Sequence, residues 1–139
     1  MKNFEYIGLF LTEESKAELK TWLINSNYQP EILKSEKEYL DHCTLLHRPQ
    51  RGEDTYLIEE DLKFMSSVQV KNMRLEINGI GISDKAMAFR CNLSEELCAN
   101  KVPHITICTF NGGKPVDSNN ITEWRNINPI MVKGVLKKV

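Results

Sequence analysis

Apolar residues along this chain fall into short runs separated by polar, turn-forming stretches, and most runs have the length of one strand or one short helix. Residues 4–12, FEYIGLFLT, are an aromatic and aliphatic run suited to a buried strand. Residues 12–24, TEESKAELKTWLI, change to helical spacing, with Thr12 as the cap, acidic residues in the first turn and Leu19, Trp22 and Leu23 as the buried stripe. A polar break at 25–31 and a charged stretch follow, and LDHCTLLHR at 40–48 then reads as a strand that is apolar almost throughout. Residues 51–67 read as a loop and a second helix.

The second half repeats the theme. MRLEINGIGISD (73–84) and AMAFRCNLS (86–94) read as two strands turning at Asp84-Lys85, with a short helical signal at 94–101. VPHITICTF (102–110) is another apolar strand, followed by the turn-rich 111–120, a polar segment around Trp124 and a last strand at 130–139. The expected fold is α+β: a single domain over 1–139, built as two pseudo-symmetric lobes of mostly antiparallel sheet with helices outside and a central cleft.

A hydrophobic content of 41% is enough for one sizeable core. Lys and Arg total 18 against 19 Asp and Glu, for a net charge of -1, so the basic footprint of a protein that coats long nucleic acid is missing. The opening residues lack a secretory signal's cleavage site, and no apolar run is long enough to span a membrane. Cys43, Cys91, Cys98 and Cys108 form no CxxC pair and read as reduced thiols of a cytoplasmic protein. No zinc-ligand spacing and no Gly-rich phosphate loop followed by Lys-Ser/Thr is present, so no metal or other cofactor is expected. Nothing in the surface pattern demands a partner chain, and a monomer is expected.

The chemistry lies in the histidines. Only three are present, and two occur as His42-Cys43-Thr44 and His104-Ile105-Thr106, 62 residues apart. Side chains two apart on a strand share a face, about 7 Å apart along it. Each His and Thr would therefore face one cleft, with Cys43 and Ile105 in the core behind. An in-line phosphodiester cleavage needs a base at the attacking oxygen and an acid at the leaving oxygen. With imidazole pKa values near 6.5, one ring can be neutral and the other protonated at about pH 7. The threonine hydroxyls would donate to the non-bridging oxygens. His47, on the opposite face of a regular strand and next to Arg48-Pro49, reads as surface.

At these residues the chain resembles the 2H phosphoesterase superfamily, whose signature is two His-x-Thr/Ser motifs on strands of a two-lobed fold. The resemblance extends over nearly the whole chain, because YIGLFLT looks like the family's first strand and the motifs follow in the expected order. It implies metal-independent cleavage of 2′,3′-cyclic phosphates, or of diester bonds beside a ribose 2′-hydroxyl. The tail PHITICTFNGGKPVDSNN looks like two branches: the cyclic phosphodiesterase domain of plant and fungal tRNA ligases, and phage anti-CBASS enzymes that destroy cyclic oligonucleotide second messengers. Compact size and near-neutral charge favour the second, with a cyclic oligonucleotide as substrate, acting in the host cytoplasm if phage-encoded. RNA-end 2′,3′-cyclic phosphate hydrolysis is the alternative, and a non-catalytic nucleotide-binding module is the reading from another class. His42, Thr44, His104 and Thr106 are the expected catalytic residues. Tyr6 and Trp124 are candidates to stack on bases and Lys114 to meet a phosphate, while Cys108 and Phe110 share the face of His104 in a regular strand.

Overall fold

The computed structural model describes residues 6–47, 73–93, 98 and 100–139. The second helix expected at 51–67 lies outside the described residues, as does most of the helical signal at 94–101. The described residues form seven strands: β1 (Tyr6–Leu11), β2 (Lys37–Glu38), β3 (His42–His47), β4 (Met73–Ile82), β5 (Ala86–Asn92), β6 (His104–Thr109) and β7 (Trp124–Lys138). Two α-helices, α1 (Glu13–Ile24) and α2 (Gln29–Leu33), and one 3₁₀ helix (Pro115–Asn120) complete the described elements.

Alternation makes β1 a strand with two jobs. Ile7, Leu9 and Leu11 are buried in the core, whereas Tyr6 and Phe10 are only half-buried on the other side. The strand then breaks into α1 at Thr12, whose Oγ1 accepts the Ser15 N–H at 3.2 Å, with Glu13 and Glu14 in the first turn favouring the helix dipole. Leu19 and Leu23 enter the core, and Trp22 sets its edge against Phe89 of β5, centroids 5.7 Å apart. Ser15 faces inward and accepts the Lys133 N–H at 2.9 Å, tying α1 to β7. The polar break after α1 contains α2, because Pro30 in the first turn of a helix sacrifices no intrahelical hydrogen bond.

The strands are ordered β2-β6-β3-β1-β7-β4-β5, and β5 pairs in turn with β6, so the sheet closes into a barrel-like ring. All of these pairings are antiparallel. The α+β class and antiparallel sheet follow the expectation, and the two halves join as arcs of the one ring. The last strand is longer than its apolar run, because β7 begins at Trp124 and contains Pro129. Proline is tolerated there because the ladder between β4 and β7 is interrupted: Ile77 pairs with Ile130 and Gly79 with Asn126, leaving residues 127–129 opposite a single residue.

The core residues Cys43, Leu45, Ile77, Met87, Phe89, Ile105 and Leu136 are fully buried. Cys43 pairs with Ile105, so the two motif strands meet back to back with the core. Beyond this point β6 carries an irregularity. Thr106 pairs with Ala88 and Cys108 with Met87, so Ile107 is the extra residue and the alternation reverses. Cys108 therefore joins the core face with Met87, fully buried, and Phe110 packs against the same core, not beside His104.

Candidate active site

One cavity of about 680 Å³ is lined by both motifs, His42 with Thr44 and His104 with Thr106. Tyr6 from β1, Tyr39 and Asp41 from the link before β3, and Asn100 complete one side, while Pro115, Val116 and Asn119 of the 3₁₀ helix form the other. A volume within the roughly 300–1,000 Å³ of small-molecule sites suits a terminal nucleotide better than a folded polynucleotide.

His42 is held by two aromatic rings, a carboxylate and a hydroxyl. Tyr6 and Phe10 both stack against it, at centroid distances of 5.0 and 4.8 Å and interplanar angles of 21° and 23°, and with their own centroids only 6.1 Å apart they adjoin each other and do not sandwich it. The sheet leaves room for the ring because Gly8 lies beneath it: a Cβ on Gly8 would come within 3.2 Å of His42 Cδ2. His42 Nδ1 lies 3.2 Å from Asp41 Oδ2 and Nε2 lies 3.1 Å from Thr44 Oγ1. With Asp41 ionised, Nδ1–H donates to the carboxylate, and Nε2 accepts from the Thr44 hydroxyl. Asp41 is itself gripped by Lys16 of α1, Nζ to Oδ1 at 3.1 Å.

The loop that delivers Asp41 turns at Leu40, a buried leucine with φ of 57°. Such a left-handed conformation costs a non-glycine residue about 1–3 kcal/mol. It is held here by the leucine's own burial and by the Leu40 N–H donating to the Thr106 carbonyl at 2.8 Å.

His104 has a different support. Its Nδ1–H donates to the Val102 carbonyl at 2.9 Å, and because a carbonyl can only accept, the lone pair is left on Nε2. Thr106 Oγ1 lies 2.9 Å from the buried Ser118 Oγ of the 3₁₀ helix and 3.4 Å from the Pro115 carbonyl. The Thr44 carbonyl accepts from the Asn100 side chain at 3.2 Å, with the Cys98 thiol 3.6 Å away.

Burial lowers the pKa of His42, against the raising effect of Asp41. Burial also lowers His104, with the Val102 carbonyl opposing it and positive charge on His42 adding to it. Both rings are thus pushed toward the neutral form. Burial would raise the Asp41 carboxyl, but hydrogen bonds from Lys16 and His42 outweigh it and hold the group low.

Of the expected site residues, His42, Thr44, His104, Thr106 and Tyr6 line the cavity together. Lys114 does not line it. This residue is exposed just before Pro115, and its N–H donates to Asp117 Oδ2 at 2.7 Å. Trp124 is also elsewhere, packed against Ala86, Ala88 and Ile121 over Gly81. It fills a small apolar cluster and is not placed to stack on a base in this cleft. Cys108 is excluded by the β6 irregularity, and burial pushes its thiol up to about 11. Strand β3 runs through His47, whose side chain lies outside the described residues. Asp41, Tyr39 and Ser118 were not legible as site residues. Asp41 alone had a signal, a carboxylate directly before a motif histidine.

Among the described residues, no group of three or more His, Cys, Asp or Glu is placed to hold a metal ion. No helix among them is long and apolar enough to cross a membrane.

Residues 9–133 match the family described as the fungal tRNA ligase phosphodiesterase domain, and the chain belongs to this family of phosphodiesterase domains. A search of curated proteins finds no match. Among solved structures the chain is similar to a fungal RNA kinase, with a TM-score of 0.67 and 14% identity. The similarity covers 99% of this chain and 46% of that one, so the chain spans about half the length of the solved relative. At that identity the likeness speaks for the fold.

Proposed function

We propose that this protein hydrolyses 2′,3′-cyclic phosphates at RNA ends. The observation that carries the reading is the convergence of two imidazoles and two threonines on one nucleotide-sized cavity, each imidazole with its Nδ1 held by an acceptor so that Nε2 is left as the base. Membership of a tRNA ligase phosphodiesterase family supports an RNA end over a cyclic oligonucleotide second messenger. Nothing in the cavity specifically favours the latter.

A bound phosphodiester brings negative charge, which offsets the burial that keeps both rings neutral and draws a proton onto one of them. The other ring takes a proton from water as it attacks phosphorus. The charged ring gives its proton to the departing ribose oxygen, and the bond from phosphorus to that oxygen breaks, leaving a phosphomonoester. Thr44 and Thr106 line the same cavity and turn from their present partners, His42 Nε2 and Ser118 Oγ, to donate to the non-bridging oxygens. Tyr6 walls the cleft beside His42.

The test is product analysis in EDTA with an RNA oligonucleotide ending in a 2′,3′-cyclic phosphate, beside a panel of cyclic di- and trinucleotides. His42→Ala and His104→Ala serve as controls, each expected to lose roughly 10²–10⁴-fold in rate. Preferential cleavage of the cyclic dinucleotides would overturn the RNA-end reading. Binding without turnover by the unaltered protein would leave a nucleotide-binding module.

A further inference from the structure

The two motifs look equivalent in sequence, yet the fold supports their histidines by different chemistry. His42 Nδ1 faces a carboxylate, Asp41, whereas His104 Nδ1 faces a neutral backbone carbonyl, that of Val102. The carboxylate is in turn fixed by Lys16 across from α1 at 3.1 Å. We propose that Asp41, anchored by Lys16, is the positioning residue that makes His42 the proton donor of the reaction and leaves His104 as the base. This assignment rests on the phosphodiesterase reading above.

An imidazolium beside an ionised carboxylate is stabilised by a charge-assisted hydrogen bond and by Coulomb attraction. An imidazolium beside a carbonyl gains only the dipole of that group. When substrate charge brings one proton into the cleft, His42 takes it. Once His42 is charged, its field disfavours a second proton on His104. The carboxylate-backed ring is then the acid and the carbonyl-backed ring the base.

Other groups around His42 do not reverse this order. From β1, Tyr6 and Phe10 stack against it, and burial followed by the Asp41 charge keeps the Tyr6 phenol protonated by raising its pKa. Lys16 reaches Asp41 from α1, and Lys137 of β7 lies beyond Phe10, its Nζ 5.6 Å from that ring's centroid. From β6 comes His104 itself.

In the resulting step, His42 Nε2–H transfers its proton to the leaving ribose oxygen as the P–O bond breaks. His104 Nε2 takes one from the attacking water as the new P–O bond forms. Exchange with solvent returns the proton from His104 to His42. In the proton-loaded state the Thr44 hydroxyl no longer donates to His42 Nε2 and is free to turn to a phosphate oxygen.

The test has two readouts. Imidazole ¹⁵N NMR of the full chain, with inorganic phosphate present and signals assigned by His42→Gln and His104→Gln, should show His42 protonating at higher pH than His104. Asp41→Asn should narrow or invert that order, and Asp41→Glu, which keeps the charge, should preserve it. In the rate–pH profile on the cyclic phosphate RNA, Asp41→Asn should move the alkaline limb to lower pH and leave the acidic limb in place. Above the limb, the rate falls about tenfold per pH unit moved. His104 protonating first in the unaltered protein, or movement of the acidic limb instead, would overturn the assignment. If the RNA is not cleaved at all, the proposed function fails while the NMR order still decides this inference.

Discussion

Replacing Gly8 by alanine should reduce turnover without much reducing stability. An alanine Cβ at this position would meet His42 Cδ2 at 3.2 Å, the Cys43 carbonyl oxygen at 3.3 Å and Phe10 Cε1 at 3.3 Å, each a little inside ordinary van der Waals contact. The Cys43 carbonyl belongs to the paired β1–β3 backbone and cannot retreat, so the His42 ring must shift by a few tenths of an ångström. Its two hydrogen bonds, to Asp41 at 3.2 Å and Thr44 at 3.1 Å, are already at the long end of the usual range. Weakening both by about 0.5–1 kcal/mol each gives about 1–2 kcal/mol, a five- to thirtyfold loss of rate. The folded state loses little, since alanine in a strand recovers about 0.5–1 kcal/mol of backbone entropy against the strain of the added methyl. The assay is kcat/KM on the cyclic phosphate RNA beside a thermal melt. Full activity in Gly8→Ala would refute the notion that this glycine seats the His42 ring. A large fall in melting temperature would show that the contact strains the sheet instead of the site.

Ser118→Ala should free the Thr106 hydroxyl to turn toward the 3.4 Å Pro115 carbonyl, lowering kcat about tenfold and stability by about 1 kcal/mol, read by steady-state kinetics and urea melts. Stability should fall as pH drops below about 6.5. Both buried histidines have folded pKa values below that of the unfolded chain, so the unfolded state takes up protons first as pH falls. The double variant His42→Gln/His104→Gln should flatten this slope in urea melts between about pH 5 and 7. Burial pushes the Cys98 and Cys108 thiols to about 12 and 11, so neither should react with iodoacetamide near neutral pH in the folded protein, and both should label in urea.

The parts of the site legible in the sequence are those that depend on the period-2 geometry of a single strand. His42 with Thr44 and His104 with Thr106 needed only the rule that residues two apart share a face, and both pairs line the cavity. The same rule failed beyond Thr106, because an extra residue in β6 is a property of pairing with β5 and leaves no mark in the run ICTF. Trp124 is a related case: base stacking and core packing both suit a tryptophan in a polar segment, and β7, which starts earlier than its apolar run, seats the indole over Gly81. Lys16 reaches Asp41 across 25 residues of chain, a contact that only the packing of α1 creates. Thr12 as a cap and the Leu19 and Leu23 stripe depend on local rules and were legible for that reason.

Closure of the strands into a ring governs how this domain can live inside a longer polypeptide. An open sheet presents a row of unpaired backbone donors and acceptors that neighbouring chains can extend. Here β5 and β6 satisfy each other, and the short β2 adds only two residues alongside β6. Among the described strands, fusion partners therefore have little edge to zip onto, and a neighbouring domain meets them through side chains and loops. A module with its borders sealed in this way can be joined to other enzymes without its register being disturbed.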